Sequence, residues 1–269
     1  MMPKQPLIPP KGEPVNLADY DPDYQADHHK SAARELLRRL QKRMNALQTR
    51  LFAERKQSLL VVLQAMDTGG KDGTIRRVFG VLNPQGVRVA PFRQPTTEEL
   101  SHDFLWRVHR RTPPAGMIGI FNRSHYEDVL IVRVNQLVPE DVWQARYDHI
   151  NNFERLLYDG GTRILKFYLH ISKEEQRERL QDRIDEPEKN WKFDRGDLPV
   201  RERWDDYMRA FEDVLTRCNT DYAPWHIVPA NRKWYRDLVI AQRVIETLEA
   251  MDPQFPPADD DLADIVIPE

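Results

Sequence analysis

One stretch of the chain joins a short apolar run to a loop of glycine, lysine and small polar residues. Residues 59–74 read LLVVLQAMDTGGKDGT, and the apolar run ends at Leu63. A run of this length that stops at glycines is typical of a buried β-strand that leads into a loop and then a helix. Such units build sheets with helices on their faces, so this stretch restricts the fold more than any other feature.

The loop is made of the residue types that bind phosphate. Gly69, Gly70 and Gly73 allow backbone N–H groups to turn inward without a Cβ in the way. The positive end of the helix that follows points at the same place, and Lys71 adds a charge that can reach the outer phosphates. We therefore predict a phosphate-binding loop.

The loop departs from the common pattern G-x-x-x-x-G-K-[ST] at two positions. Ala65 stands at the first glycine and Asp72 at the Ser or Thr, so Thr74 becomes the candidate hydroxyl. Asp67 and Asp72 would repel phosphate alone, but they suit a loop in which Mg²⁺ lies between carboxylate and phosphate. A glycine-rich turn without a ligand is the alternative interpretation of the same residues.

The composition is that of a globular chain whose overall charge attracts no polyanion. The 269 residues are enough to bury a sizeable core, and the formal net charge is −3. We therefore expect no nucleic-acid partner, and a polyanion substrate would need a local basic patch. Cys218 is the single cysteine, which excludes a disulfide framework and a cysteine-rich zinc site. No apolar run approaches the roughly 18 residues of a membrane span and no signal peptide is recognisable, so we expect a cytoplasmic protein without membrane contact.

Apolar periodicity divides the chain into an arm, a main domain and a tail. Residues 1–27 are rich in Pro and Asp and predict an extended arm, and residues 251–269 predict an acidic tail. Residues 28–250 form the predicted domain, which begins with a long helix at about 28–56. The apolar face of that helix consists of Leu36, Leu40, Met44, Leu47 and Leu51. We expect this face to pack on the main body or on a partner subunit, and we expect a homo-oligomer.

Five short apolar runs alternate with helical patterns after the first helix. The predicted strands are residues 59–63, 87–91, 117–121, 164–169 and 226–228. The predicted helices are residues 74–82, 97–109, 141–158, 174–183, 201–216 and 232–248. This alternation predicts an α/β three-layer sandwich, with an open, five-stranded, mainly parallel sheet and helices on both faces. Ligands of such sheets bind at the carboxyl ends of the strands, where residues 67–71 and 122–124 would both lie.

A second group of polar residues follows the third predicted strand. Residues 117–128 read MIGIFNRSHYED, so Asn122 stands where phosphate-loop enzymes have a metal-binding carboxylate. Glu127 comes one turn later and could restore the negative charge. Arg123 is a candidate for clamping a phosphoryl oxygen with two N–H groups. A strand end with a helix cap and a surface ion pair is the alternative.

A charged segment at residues 177–203 is interrupted by proline and glycine, and it predicts a lid between two helices. Closure over bound phosphate would exclude water and bring basic side chains onto the transferring group. The candidates are Arg179, Arg183, Lys189 and Lys192. A charged surface loop is the alternative.

Three segments together resemble the family-2 polyphosphate kinases. They are MDTGGKDGT at residues 66–74, FNRSHYEDVL at 121–130, and the lid RIDEPEKNWKF at 183–193 followed by WDDYMRAFEDVL at 204–215. The segments occur in the expected order, and the resemblance covers about residues 30–250. It implies a P-loop kinase fold with a helical lid, dependence on Mg²⁺ or Mn²⁺, and phosphoryl transfer between inorganic polyphosphate and nucleotides.

The resemblance also implies roles for individual residues. The predicted catalytic residues, matched by position to the family motifs, are Asp67, Lys71, Arg123 and Arg183. The predicted phosphate contacts are Gly69, Gly70, Asp72, Gly73, Thr74, Arg76 and Lys189. The predicted metal ligands are Asp67, Asn122 and Glu127. Many members have Asp where this chain has Asn122, and Glu127 is the candidate substitute.

Asn122, followed by HYED at residues 125–128, is similar to the subgroup termed class III, which is associated with phosphorylating both AMP and ADP. The implied reaction moves the terminal phosphoryl group of polyphosphate to AMP, giving ADP, and to ADP, giving ATP. An ATP-dependent nucleoside monophosphate kinase is one alternative, although the altered loop counts against it. A non-catalytic polyphosphate- or nucleotide-binding module is the other, although Asp67 and Asp72 would weaken simple anion binding.

Overall fold

A sheet of five parallel strands lies at the centre of the molecule. The computed structural model in which it is seen describes residues 8–258, 265, 267 and 268. The strands are β1 (Ser58–Gln64), β2 (Val87–Pro91), β3 (Ile118–Asn122), β4 (Thr162–His170) and β5 (Trp225–Pro229). Their order across the sheet is β2-β3-β1-β4-β5, and every neighbouring pair is parallel. The predicted α/β class and all five predicted strands are confirmed.

Helices cover both faces of this sheet. Those in the described part of the chain are α1 (Lys30–Glu54), α2 (Lys71–Thr74), α3 (Thr97–Leu100), α4 (Trp106–His109), α5 (Ile131–Val134), α6 (Glu140–Asp159), α7 (Lys173–Asp185), α8 (Asp197–Glu202), α9 (Trp204–Arg217) and α10 (Lys233–Met251). The single helix predicted over residues 97–109 is wrong, because the chain forms α3 and α4 instead. The Asp103 carboxylate accepts a hydrogen bond from the Leu105 N–H (2.9 Å), a local alternative to helix hydrogen bonding.

The core forms because the central strands are buried on both faces. Every residue of β1 is buried, as expected for a parallel strand covered by helices on either side. The predicted first helix is confirmed as α1, which packs against α10 of the same chain. Met44, Leu47 and Leu51 are buried, whereas Leu36 and Leu40 are only half-buried. The helix thereby holds the last helix of the domain against the sheet.

The N-terminal segment is docked on the domain. The Val15 N–H donates to Thr216 Oγ1 (2.9 Å) and the Leu17 N–H to Glu212 Oε1 (2.9 Å), both on α9. At the other end, residues 252–258 have no regular structure, and most of the predicted acidic tail lies outside the described residues. No helix in the described part of the chain is long and apolar enough to span a membrane.

Candidate active site

The predicted phosphate loop connects β1 to α2 at the carboxyl edge of the sheet. The chain leaves β1 after Gln64, and α2 begins at Lys71. Thr68 and Gly70 have φ angles of 63° and 103°, in the left-handed region. A β-branched residue rarely adopts this conformation, and such strain is typical of functional sites. The Thr74 hydroxyl on the first helical turn is buried, and it has no hydrogen-bond partner among the described residues.

Lys71 lies inside the loop. Its buried Nζ donates to the backbone oxygens of Ala65 (2.9 Å) and Met66 (3.3 Å). Burial lowers the pKa of Lys71, and the positive charge of Arg123 lowers it further. The amine is therefore bonded to loop carbonyls and close to the position where a loop of this type holds phosphate.

The second predicted group meets the loop because β3 lies beside β1. Leu63 pairs with Asn122 across the two strands, so their polar ends share one edge. Arg123 Nη2 donates to Asp67 Oδ1 (2.6 Å), and Asn122 Nδ2 donates to Asp72 Oδ1 (2.6 Å). The structure thus brings together predicted residues that are 50 and 56 positions apart in sequence.

Acidic oxygens on both sides of Arg123 suit a magnesium ion. The Asp67 and Glu127 side chains are each 18% exposed, and Arg123 contacts both, at 2.6 and 4.0 Å. Within the described residues, no group of three or more His, Cys, Asp or Glu side chains forms a metal site. Mg²⁺ commonly uses one or two carboxylates and takes its other ligands from water and substrate phosphates. These residues therefore fit an ion that binds together with a phosphorylated substrate.

A cavity opens beside the Asp67–Arg123 pair. Its volume is about 50 Å³, and it is partly open to solvent. Its lining residues are Ala65, Met66, Asp67, Arg123, Glu127, Leu130, Ile131, Val200, Tyr207 and Phe211. One wall is charged and the other is apolar, and Val200 comes from the segment predicted to be a lid. Such a pair of walls suits contact with a ligand that has an ionic and an apolar part.

A family model described as Polyphosphate kinase 2 (PPK2) matches residues 27–256 of the chain. The chain belongs to the polyphosphate kinase 2 family. A relative from Meiothermus ruber, named AMP/ADP-polyphosphate phosphotransferase, is 54% identical over 93% of this chain and 94% of that protein. The ADP-polyphosphate phosphotransferase of Rhodopseudomonas palustris is 45% identical over 91% of this chain and 90% of that protein. A crystal structure of polyphosphate kinase 2 from Arthrobacter aurescens TC1 has a TM-score of 0.94 and 42% identity, and the match covers 98% of this chain and 96% of that one.

The segment predicted to be a lid of this PPK2-family chain consists of the end of α7, a 3₁₀ helix (Pro187–Lys192) and α8. Arg183 Nη1 donates to Lys192 O (2.9 Å) and to Asp197 Oδ2 (3.0 Å), so both of these partners lie in the predicted lid. Burial raises the pKa of Asp197 to about 6, and the Asp67 charge adds to this effect.

Three predicted site residues are not joined to the Asp67–Arg123 cluster. Arg183 is bonded within the predicted lid, as described above. Lys189 is half-buried and paired with Glu186 (2.5 Å), and Arg76 is exposed on the π-helical segment (Ile75–Phe79) that follows α2. Their predicted contacts with phosphate stay predictions for this PPK2-family site.

Two arginines, one on α7 and one on α10, contact the backbone of the phosphate loop. Arg179 on α7, which the sequence places among the lid candidates, donates through Nη1 to Thr68 O (3.0 Å). Arg236 on α10 was missed, although it is fully buried and Gly70 lies against it. The sequence pattern could have indicated this residue, because helical periodicity places Arg236 on the same apolar face of α10 as Ile240 and Val244. A charged residue in an apolar stripe indicates a buried partner.

A buried polar network anchors the second motif. Lys166 Nζ donates to Glu154 Oε2 (2.6 Å), to Tyr126 Oη (2.8 Å) and to the backbone oxygen of Cys218 (2.7 Å). Glu154 Oε1 accepts from the Tyr126 hydroxyl (2.7 Å), and His125 Nε2 lies 3.2 Å from it. The network fixes the 3₁₀ helix (His125–Val129) that follows Arg123.

Proposed function

We propose that this chain is a Mg²⁺-dependent phosphotransferase that moves the terminal phosphoryl group of inorganic polyphosphate to AMP and to ADP, forming ADP and ATP. The observation that carries the proposal is the Asp67–Arg123 contact, because it joins a phosphate loop to a half-apolar cavity at one edge of the sheet. The name of the Meiothermus ruber relative supports the choice of donor and of both acceptors.

The donor binds on the loop side of this contact. The backbone N–H of Gly70 and the Lys71 amine provide positive charge for a chain of phosphates, whereas the Gly69 N–H donates to Met66 O (3.0 Å). The same edge holds the guanidinium of Arg179, bonded to the loop carbonyl of Thr68. A local basic patch of this kind offsets the net charge of −3, which disfavours a polyanion elsewhere on the surface.

The acceptor binds in the cavity on the other side. Arg123 at its charged wall suits the phosphate of AMP or ADP, since a guanidinium binds phosphate oxygens in pairs. Tyr207 and Phe211 at the apolar wall suit the nucleoside. The acceptor phosphate then lies beside Asp67, next to the end of the donor.

The reaction needs no strong general base. A terminal phosphate has a second pKa of about 6, so the acceptor oxygen is largely ionised at neutral pH. That oxygen attacks the terminal phosphorus of the donor, and the bridging P–O bond breaks. The shortened polyphosphate leaves with the electron pair. Catalysis therefore rests on alignment and on neutralisation of charge.

Each residue has a defined part in this scheme. Lys71 and the loop N–H groups hold the donor, and Arg123 stabilises charge on the phosphoryl group during transfer. Arg183 adds a second positive charge when the lid closes, which requires it to leave Asp197. A Mg²⁺ ion held by Asp67 and Glu127 would reduce repulsion between the two anionic substrates. Asn122 as a further metal ligand, and Mn²⁺ as a substitute for Mg²⁺, are parts of the same proposal.

Chromatography of nucleotides tests the proposal. Purified protein is incubated with Mg²⁺ and long-chain polyphosphate, with AMP and ADP in separate tubes and an ATP-plus-AMP tube without polyphosphate. We expect ATP from ADP, and ADP followed by ATP from AMP. Product from ADP alone would overturn the dual acceptor. Formation of ADP only in the ATP-plus-AMP tube would identify a monophosphate kinase, and no product in any tube would favour a binding module.

The expected homo-oligomer and the cytoplasmic location belong to the proposal as well. Light scattering of the purified chain tests the first, since the packing of α1 on α10 is also compatible with a monomer. Cell fractionation tests the second.

A further inference from the structure

The guanidinium of Arg236 is a buried cation with one unused donor. The side chain is 0% exposed, and its Nε and Nη2 both donate to Asp237 Oδ1, at 2.9 and 2.6 Å. Nη1 is buried and has no hydrogen-bond partner among the residues that the structure describes. A buried donor without a partner is costly, so its persistence calls for an explanation.

That unused donor lies against the phosphate loop. A Cβ built on Gly70 would lie 1.9 Å from Arg236 Nη1, and one on Gly73 would lie 3.6 Å from Nη2. Glycine at position 70 is therefore required twice, by its φ angle of 103° and by the closeness of the guanidinium. No side chain separates Arg236 from the loop backbone at this point.

Positive charge at this place exceeds the negative charge that neutralises it. The Asp237 carboxylate is shared between Arg236 and Arg77, whose Nε lies 3.3 Å from Oδ2. Arg179, paired with Glu175 at 2.6 Å, is the third guanidinium beside the loop. Burial lowers the pKa of Arg236, and repulsion by Arg77 and Arg179 lowers it further. Three guanidinium groups thus share two carboxylates, so one positive charge is left to be neutralised by a bound anion.

We propose that Arg236 is a binding residue for the phosphoryl donor, with Nη1 donating a hydrogen bond to a non-bridging phosphate oxygen of an anion in the loop. The anion is a condensed phosphate, a class that includes inorganic polyphosphate and the diphosphate part of a nucleotide. That the anion is polyphosphate and not the diphosphate of a nucleotide rests on the proposed function. The contact between Arg236 and a condensed phosphate does not. Asp237 has the supporting part, because it fixes two nitrogens of the guanidinium and directs the third at the loop.

The test compares Arg236→Met and Arg236→Lys with a matched control, Arg243→Met. Arg243 lies two helical turns further along α10 and is paired with Glu246 (2.8 Å), so its loss removes a charge from the same helix at a distance from the loop. Binding of inorganic tripolyphosphate is measured by calorimetry without nucleotide, and KM is measured separately for polyphosphate and for ADP. Thermal melting shows which variants are folded, and Arg236→Lys retains the charge if the methionine variant does not fold.

We expect Arg236→Met to weaken tripolyphosphate binding and raise KM for polyphosphate by roughly 10- to 100-fold, the effect of losing a charged hydrogen bond. Arg236→Lys should show a smaller loss, because an ammonium cannot hold Asp237 with two nitrogens and reach the loop with a third. KM for ADP should stay within about twofold of the wild type, as should every value for Arg243→Met.

Two results would overturn the assignment. Tripolyphosphate binding that is equal in Arg236→Met, Arg243→Met and wild type would make Arg236 a structural residue only. A rise in KM for ADP with unchanged tripolyphosphate binding would place Nη1 at the acceptor. The binding measurement needs no turnover, so it decides the role of Arg236 even if the wild type fails to use polyphosphate, a failure that would count against the proposed function alone.

Discussion

Substitution of Tyr126 by phenylalanine removes one oxygen from the buried network beneath the second motif. The hydroxyl accepts from Lys166 (2.8 Å) and donates to Glu154 (2.7 Å), and all three side chains are 0% exposed. Each bond to a charged group contributes about 1.5–3 kcal/mol. Since Lys166 and Glu154 keep each other and further partners, we expect a loss of about 2–4 kcal/mol, which lowers Tm by roughly 5–15 °C.

Urea unfolding followed by circular dichroism measures the loss. The midpoint should fall while the m value stays unchanged, because the surface exposed on unfolding is the same. Tyr235→Phe is the control, since its hydroxyl is buried without a hydrogen-bond partner in the described residues, and we expect no loss of stability and a gain of up to about 1–3 kcal/mol. If the two variants prove equally stable, the network does not anchor the 3₁₀ helix (His125–Val129) and the reasoning is refuted.

Three further variants test other parts of the molecule. Lys71→Ala should lower kcat about 10³-fold, by analogy with a lost arginine finger, and near wild-type turnover would exclude its role. Burial lowers the pKa of His226 to about 4, so the unfolded chain binds its proton first and stability falls as the pH drops from about 6.5 to 4. Urea titrations at several pH values should show that His226→Gln loses less unfolding free energy than the wild type over this pH range, by up to ~3 kcal/mol. If the variant and the wild type lose the same free energy over this range, the burial argument is wrong. Asp23→Ala removes the acceptor of the Asn231 amide (2.8 Å), so amides of the N-terminal segment should exchange hydrogen faster, at a cost of at most ~1 kcal/mol; unchanged exchange would show that the segment is held elsewhere.

The fold could be predicted because its strands carry their own signal. Parallel strands buried on both faces are continuous apolar runs, so residues 59–63 and 118–121 stand out without knowledge of their partners. Helix limits depend on local hydrogen bonds that compete with the helix. The Asp103 carboxylate breaks the pattern over 97–109, and the predicted helix over 74–82 continues α2 only as a π-helical segment (Ile75–Phe79).

The residues at the carboxyl ends of the strands could be predicted from the sequence. The buried side chains that pack beneath them could not. Asp67 and Arg123 follow apolar runs of neighbouring strands, and parallel strands bring their carboxyl ends to one edge. Arg236 meets Gly70 across 166 positions, a contact that depends on how α10 packs. Lys166 is hidden in an apolar run, and nothing in the sequence shows that Glu154 is its partner.

Transfer of a radioactive label tests the proposed donor most directly. The protein is incubated with Mg²⁺, unlabelled ADP and ³²P-labelled polyphosphate, and the nucleotides are separated and cleaved to locate the label. We expect labelled ATP, with the label confined to the γ-phosphate and no AMP formed during initial turnover. Unlabelled ATP accompanied by an equal amount of AMP would show that two ADP molecules react with each other. That result would contradict a polyphosphate donor.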